Sequence, residues 1–337
     1  MAVSHLVKFV LRRPSIFFCS IRLTSLCSQH CLQCSIPDQS DGSFIDPKYF
    51  AIIAGKLRKY GTRVFNLTGG EPALHPELEE IFRIAAGLDF RGVNLLTNLY
   101  YPEARLEKVI ELAARYGVGI HTSYDGIGEI ADTLRGAKDV QRTVERGMKM
   151  INDYRHRGLY KHTPTATVVL SALNIELLPE IISNLEQLEW NMNIDLYRWT
   201  SSNHRENERL KIKDPQQIEW AIQQIRKAKG LKTPLWYYEG LLRHQAGKQP
   251  KQCPYLISPT FGSKFFVREN GNLYTCMSHA LGNLLQDEIS DILRSQEWQR
   301  QHSQFEKCEG CWNNCFTPSS RALSYLHIPT IRQYLFH

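Results

Sequence analysis

Three cysteines near the start of the chain carry the strongest chemical signal. Cys27-Ser-Gln-His-Cys31-Leu-Gln-Cys34 has the spacing C-x3-C-x2-C. Three thiolates on one short loop can hold three irons of a four-iron cubane. The fourth iron then lacks a protein ligand and is open to a chelating small molecule. A zinc site with its fourth ligand elsewhere, such as His30, is the alternative. A second group lies far downstream: Cys253, Cys276, Cys308, Cys311 and Cys315, with no cysteine between Cys34 and Cys253. Clustering of this kind in a cytoplasmic chain points to metal rather than disulfides. Cys19 sits alone in an apolar run and reads as a small buried hydrophobe.

The elements around these cysteines alternate. Strands are expected at Ser15–Thr24, Arg63–Thr68, Gly92–Thr97, Gly117–Tyr124, Thr165–Ser171 and Asn193–Tyr197. Helices are expected at Pro47–Tyr60, Pro76–Leu88, Pro102–Tyr116, Val140–His156, Leu177–Leu188 and Pro215–Gly230. Asp46 is a candidate cap ahead of Pro47 at the first helical position. Such alternation predicts an α/β fold with a parallel sheet and crossover helices. Six units are too few for a closed eightfold barrel, so a partial (β/α)6 TIM-like barrel is expected, working at the C-terminal ends of its strands. A small cysteine-rich C-terminal domain should follow. The division is residues 1–14 as an N-terminal segment, 15–245 as the barrel with connecting helices, and 246–337 as the cysteine-rich domain.

The triad directly follows the first strand and resembles the signature of the radical S-adenosylmethionine (SAM) superfamily. In that family the open iron chelates SAM, and one electron splits it to a radical that takes hydrogen from substrate. Ser28 stands where the family often has Asn, and Gln33 where an aromatic usually touches the adenine. Further family motifs follow in order at successive strand ends. Gly69-Gly70-Glu71-Pro72 matches Gly-Gly-Glu-Pro; its glycines let backbone approach a ligand, and Glu71 offers an acceptor for an ammonium group. Thr97-Asn98 matches Thr-Asn-Gly, but Leu99 replaces the glycine, so an altered turn is expected. Ser123-Tyr124-Asp125-Gly126 resembles Ser-x-Asp-Gly, suited to ribose hydroxyls or the polar groups of SAM. Arg135 matches an arginine that often pairs with the SAM carboxylate. Asn174 is a further candidate for the ligand rim.

The late cysteines resemble the SPASM/twitch appendix of some radical SAM enzymes, which carries auxiliary clusters. Five cysteines in place of seven imply one auxiliary 4Fe–4S cluster, on Cys253, Cys276 and two of Cys308, Cys311 and Cys315. A structural zinc knuckle is the alternative. Full ligation of that cluster would favour electron transfer.

The composition bounds partners loosely. The chain has 337 residues, 41 Lys and Arg against 34 Asp and Glu, and a formal net charge of +7. That balance suits an acidic electron donor, for which the resemblance implies a flavodoxin or ferredoxin. No polybasic block marks a nucleic-acid tail, and no apolar run is long enough to span a membrane. Residues 1–18 either pack on the main domain or lie on a membrane surface as a short amphipathic helix, a possible peripheral contact. Arg198, Arg205, Arg209, Lys211 and Lys213 either meet anionic groups or are solvated. Trp199, Trp236, Tyr237 and Tyr238 either wall an apolar substrate or form ordinary core. The expected function is radical SAM oxidation or hydroxylation of an unactivated C–H bond on a small non-peptide biosynthetic intermediate, such as a lipid, isoprenoid or tetrapyrrole. Peptide maturation is the alternative, disfavoured because Cys27 leaves no room for a preceding recognition module. A non-catalytic zinc-stabilised binding protein is a third reading.

Overall fold

The computed structural model describes residues 16–198, 205–245, 253–257, 264–308 and 312. The N-terminal segment, Trp199, Cys311 and Cys315 therefore lie outside the described residues. Six strands, β1 (Phe18–Arg22), β2 (Val64–Thr68), β3 (Gly92–Leu96), β4 (Gly119–Ser123), β5 (Thr165–Leu170) and β6 (Asn191–Leu196), pair in parallel in chain order. Parallel neighbours need crossovers, and helices supply them. These are α1 (Pro47–Tyr60), α2 (Leu78–Gly87), α3 (Glu103–Tyr116), α4 (Gly128–Arg135), α5 (Val140–His156) and α6 (Leu178–Gln187); α7 (Pro215–Ile225) and α8 (Leu235–Gln245) follow β6. Successive helices touch one another, α1 on α2, α2 on α3 and α6 on α7, so they wrap one face of the sheet. This is the expected α/β partial barrel.

Local sequence explains the boundaries. Asp46 caps α1 by accepting from the Lys48 amide, Pro47 opens it, and Gly61 closes it at φ 119. α2, α3 and α6 begin within two residues of their expected starts. α4 was not expected. It has eight residues and only a short apolar repeat, with Ala131 and Leu134 buried.

Along each strand, side chains alternate between two faces. Cys19, Ile21, Phe65, Leu67, Leu95 and Ile120 are buried beneath the helices. Full burial of such aliphatic side chains contributes about 1.5–3 kcal/mol each. The opposite face is mixed, with polar side chains among Phe18, Val64, Leu96 and Val169. Ser20 lies beside Asn66 and Asn66 beside Asn94, and Asn94 donates to Asn66 at 3.0 Å.

The sheet does not stop at β1. Strand β7 (Lys264–Val267) pairs with β1 in parallel, and β8 (Asn272–Tyr274) and β9 (Gly282–Asn283) extend it antiparallel. The order is β6-β5-β4-β3-β2-β1-β7-β8-β9. The C-terminal cysteine-bearing region is thus hydrogen-bonded into the barrel's first strand. Short helices α9 (Pro254–Ile257) and α10 (Ile289–Ile292) and the longer α11 (Gln296–Lys307) complete it. Among the described residues, no helix is long and apolar enough to cross a membrane.

Candidate active site

The triad loop leaves the C-terminal end of β1 and is clamped from two sides. On one side, the Gly70 amide donates to the Thr24 carbonyl at 2.9 Å and the Glu71 amide to the Leu26 carbonyl at 2.6 Å. A Cβ on Gly70 would lie 2.2 Å from the Leu26 oxygen. The glycine pair thus admits the backbone of the triad loop, where a ligand's approach was expected. On the other side, the His30 and Leu32 amides donate to the Arg135 and Leu134 carbonyls at 3.1 and 3.0 Å. Those are terminal carbonyls of α4, which the helix itself cannot satisfy. Gly136 turns left-handed at φ 58, and a Cβ there would meet the His30 oxygen at 2.4 Å.

Glu71 is buried. Its two oxygens accept from the Ala73 amide at 3.0 Å and the Asn98 amide at 2.7 Å. Burial pushes its carboxyl up, against the hydrogen bonds that favour the carboxylate. Its side chain therefore ties the turn after β2 to the turn after β3. Asn98 donates toward Ser28 Oγ at 3.3 Å and Cys27 Sγ at 3.9 Å. Ser28 thus supports the loop in place of the family's Asn. The turn at Leu99 keeps its left-handed form, φ 54, where an altered turn was expected. A non-glycine residue there costs about 1–2 kcal/mol, and complete burial of the leucyl side chain offsets it.

Ser123 ends β4, half-buried, on the face opposite the helices. Asp125 is buried and accepts from the Val169 amide at 2.7 Å and Gln33 Nε2 at 3.3 Å. It also forms an ion pair with Arg135. Burial pushes the Asp125 carboxyl up, with Arg135 opposing. Burial works to lower the Arg135 guanidinium, and Asp125 and Cys31 together hold it above its ordinary value. Arg135 Nη1 donates to Cys31 Sγ at 3.6 Å. Asn174, expected on the ligand rim, is fully buried. Its amide nitrogen donates to the Asp125 and Val169 carbonyls, and its oxygen accepts from the Ser171 amide and hydroxyl. It positions the Asp125 turn from behind. Gln33 meets Asp125 through its nitrogen, while its Oε1 is buried without a protein partner.

The three thiols fit an iron–sulfur cluster. Burial pushes Cys27 up to about 12 and raises Cys34, so metal must displace protons from them. A zinc ion would need a fourth ligand beside the three thiolates, whereas a cubane takes one thiolate per iron.

In the C-terminal region Cys253 is buried, Cys276 half-buried and Cys308 exposed. Burial raises the Cys253 thiol, and the neighbouring Cys308 adds to the rise. Trp312, within the Cys311–Cys315 stretch, stacks on Tyr237 and donates to its carbonyl at 2.8 Å. Tyr237 and Tyr238 are buried and bond Asp195 and the Ile194 carbonyl. They are core packed against β6. Arg205 pairs with Asp38, Lys211 with Glu206 and Glu208, and Lys213 with Glu208.

Comparison with known proteins agrees with this geometry. Residues 21–185 match the radical SAM superfamily, and residues 260–315 match SPASM, an iron–sulfur cluster-binding domain. The chain belongs to the radical SAM superfamily and carries a SPASM domain. Among curated relatives, a GTP 3′,8-cyclase of Chlorobaculum tepidum is 30% identical over 161 residues, 45% of this chain and 43% of that protein. A probable GTP 3′,8-cyclase of Saccharolobus islandicus is 29% identical over 133 residues, 36% and 43% respectively. The chain thus spans under half the length of the curated relatives it matches. Among solved structures, anSMEcpe with bound AdoMet and Cp18Cys peptide superposes with a TM-score of 0.64 at 14% identity, covering 95% of this chain and 98% of that one. Streptococcus suis SuiB bound to precursor peptide SuiA gives 0.69 at 13%, covering 91% and 75%. These structures share the fold. The radical SAM and SPASM domains carry 4Fe–4S clusters and bind SAM.

Proposed function

We propose that the chain abstracts hydrogen from an unactivated C–H bond of a polar substrate held against the inner face of the barrel, in an oxidation. The bound cluster and SAM supply the radical. Cys27, Cys31 and Cys34 hold the cluster. Gly69 and Gly70 let the triad loop seat, Glu71 and Asn98 brace it, and Ser123, Asp125 and Arg135 line the strand ends beside it. Cys253 and Cys276, with two of Cys308, Cys311 and Cys315, hold the auxiliary cluster, which accepts the electron left on substrate. A flavodoxin or ferredoxin in the cytoplasm supplies the reducing electron.

One observation carries the choice of substrate. The face opposite the helices presents Asn66, Asn94, His121, Ser123 and Thr167 as hydrogen-bonding groups, among the apolar Phe18, Val64, Leu96 and Val169. Desolvating such a face against a lipid or isoprenoid would leave its donors and acceptors unpaired, at about 1–3 kcal/mol each. Tyr237 and Tyr238, two of the four aromatics offered as walls of an apolar substrate, are buried core, while Trp236 is half-buried. The relatives' names point the same way, to GTP and to peptides. A peptide is the second reading, favoured because amide and hydroxyl groups complement a peptide backbone.

The test is direct. Anaerobically reconstituted protein, reduced with dithionite in the presence of SAM, should release 5′-deoxyadenosine. The Cys27→Ala, Cys31→Ala and Cys34→Ala variants should release none. Absence of that product from the intact protein would end the radical reading. A panel of peptides and of non-peptide polar metabolites then separates the two substrate classes.

A further inference from the structure

The hydrogen bond from Arg135 to Cys31 has no part in the SAM-carboxylate pairing that the family resemblance implies for Arg135. Its guanidinium is buried and held on its far side by Asp125. Asp125 is itself fixed by the Val169 amide and by Gln33, and its backbone carbonyl accepts from Asn174. Every link in this chain is buried or half-buried, and its last atom, Nη1, points at the Cys31 sulfur. The contrast with Cys27 is clear: its side-chain donor is a neutral amide, Asn98, at 3.9 Å.

We infer that Arg135 is a positioning residue that raises the reduction potential of the cluster on Cys27, Cys31 and Cys34 through its N–H···S bond to Cys31. The inference rests on reading the triad as a cluster site. Reduction adds one electron, delivered by an external one-electron donor, and part of the added charge falls on the thiolate sulfurs. A donor aimed at one of those sulfurs favours the reduced form. Asp125 neutralises most of the net charge of Arg135, so the directed hydrogen bond carries the effect. Arg135 gives up no proton and forms no covalent bond.

The experiment is an anaerobic redox titration of the reconstituted full-length chain, followed by electron paramagnetic resonance. The relevant signal is the one whose shape changes when SAM is added. In Arg135→Gln, the ratio of reduced to oxidised cluster at a fixed potential should fall about tenfold, a shift of about 59 mV to more negative values. Arg135→Lys, which keeps a charged donor without the fork, should fall between the two. Iron and sulfide content confirms that each variant is loaded. A merely structural role would alter loading and leave the midpoint in place. Equal midpoints in wild type and both variants would overturn the inference. If Arg135→Gln does not retain its cluster, an unshifted midpoint in Arg135→Lys suffices to overturn it. A wild-type protein with no SAM-responsive signal would instead remove the cluster reading, and this inference with it.

Discussion

Arg22 and Glu269, 247 residues apart, meet in a two-pronged ion pair where β1 adjoins the C-terminal region. Nε donates to Oε2 at 2.5 Å and Nη2 to Oε1 at 2.8 Å, with both side chains about 10% exposed. The third guanidinium nitrogen, Nη1, is buried without a partner. Removing one member leaves the other's charge buried and unpaired. Glu269→Gln should therefore destabilise the protein by about 3 kcal/mol in urea unfolding, while Arg22→Met with Glu269→Met should recover most of that loss. A neutral Glu269→Gln would show that solvent already screens the pair.

Gly70 and Gly136 hold the triad loop by what they lack. Gly70→Ala places a methyl 2.2 Å from the Leu26 oxygen, and Gly136→Ala places one 2.4 Å from the His30 oxygen. Both neighbours are backbone and cannot swing aside. Each variant should fold, by circular dichroism, yet lose cluster loading in the triad. Iron analysis matching wild type would refute this.

Gly240 plays the same part at the other end. A Cβ there would sit 1.9 Å from the Trp312 ring. Gly240→Ala and Trp312→Ala should undock the segment carrying the last cysteines, the latter at a cost of about 3–5 kcal/mol. Iron content should then drop to that of a single cluster, with SAM-dependent release of 5′-deoxyadenosine retained. Retention of both clusters would show that the tryptophan is dispensable.

His121 predicts a pH dependence. Burial, with Lys232 and Lys264 nearby, lowers its ring to about 4 from an ordinary 6.5. The folded protein keeps the ring neutral while the unfolded chain protonates below about 6.5. Its contribution is therefore full above that pH and is lost as pH falls toward 4. The loss should be at most about 2 kcal/mol, since the half-buried ring is partly screened. His121→Asn should flatten this part of the urea-midpoint profile; an unchanged slope would assign the acid sensitivity elsewhere.

Much of the architecture was legible in the residues, for identifiable reasons. Asp46-Pro47 and Gly61 punctuate α1, and β-branched runs mark β5, because these signals are local. α4 was not legible, since eight residues with a short apolar repeat become a helix here only with the triad loop bonding its last carbonyls. The pairing of β1 with β7 was equally hidden, because no local pattern links residues 18–21 to 264–267. At the site, residue types suggested ligand contacts for Glu71 and Asn174. What the sequence did not show is that both are buried and hydrogen-bonded into the scaffold, Glu71 to the Ala73 and Asn98 amides and Asn174 to the Asp125 turn. Leu99 shows the converse: a residue type that argued against a left-handed turn is held there by its own burial.

The parallel pairing of β1 with β7 has a consequence for biosynthesis. Strand β1 emerges from the ribosome about 240 residues before its neighbour. At roughly 5–20 residues per second, one edge of that strand stays exposed for about 12–50 s while β2 can already cover the other. An open edge of that kind invites pairing with foreign strands. The nascent barrel thus passes through an interval in which one edge of the strand leading into the triad loop has no partner of its own.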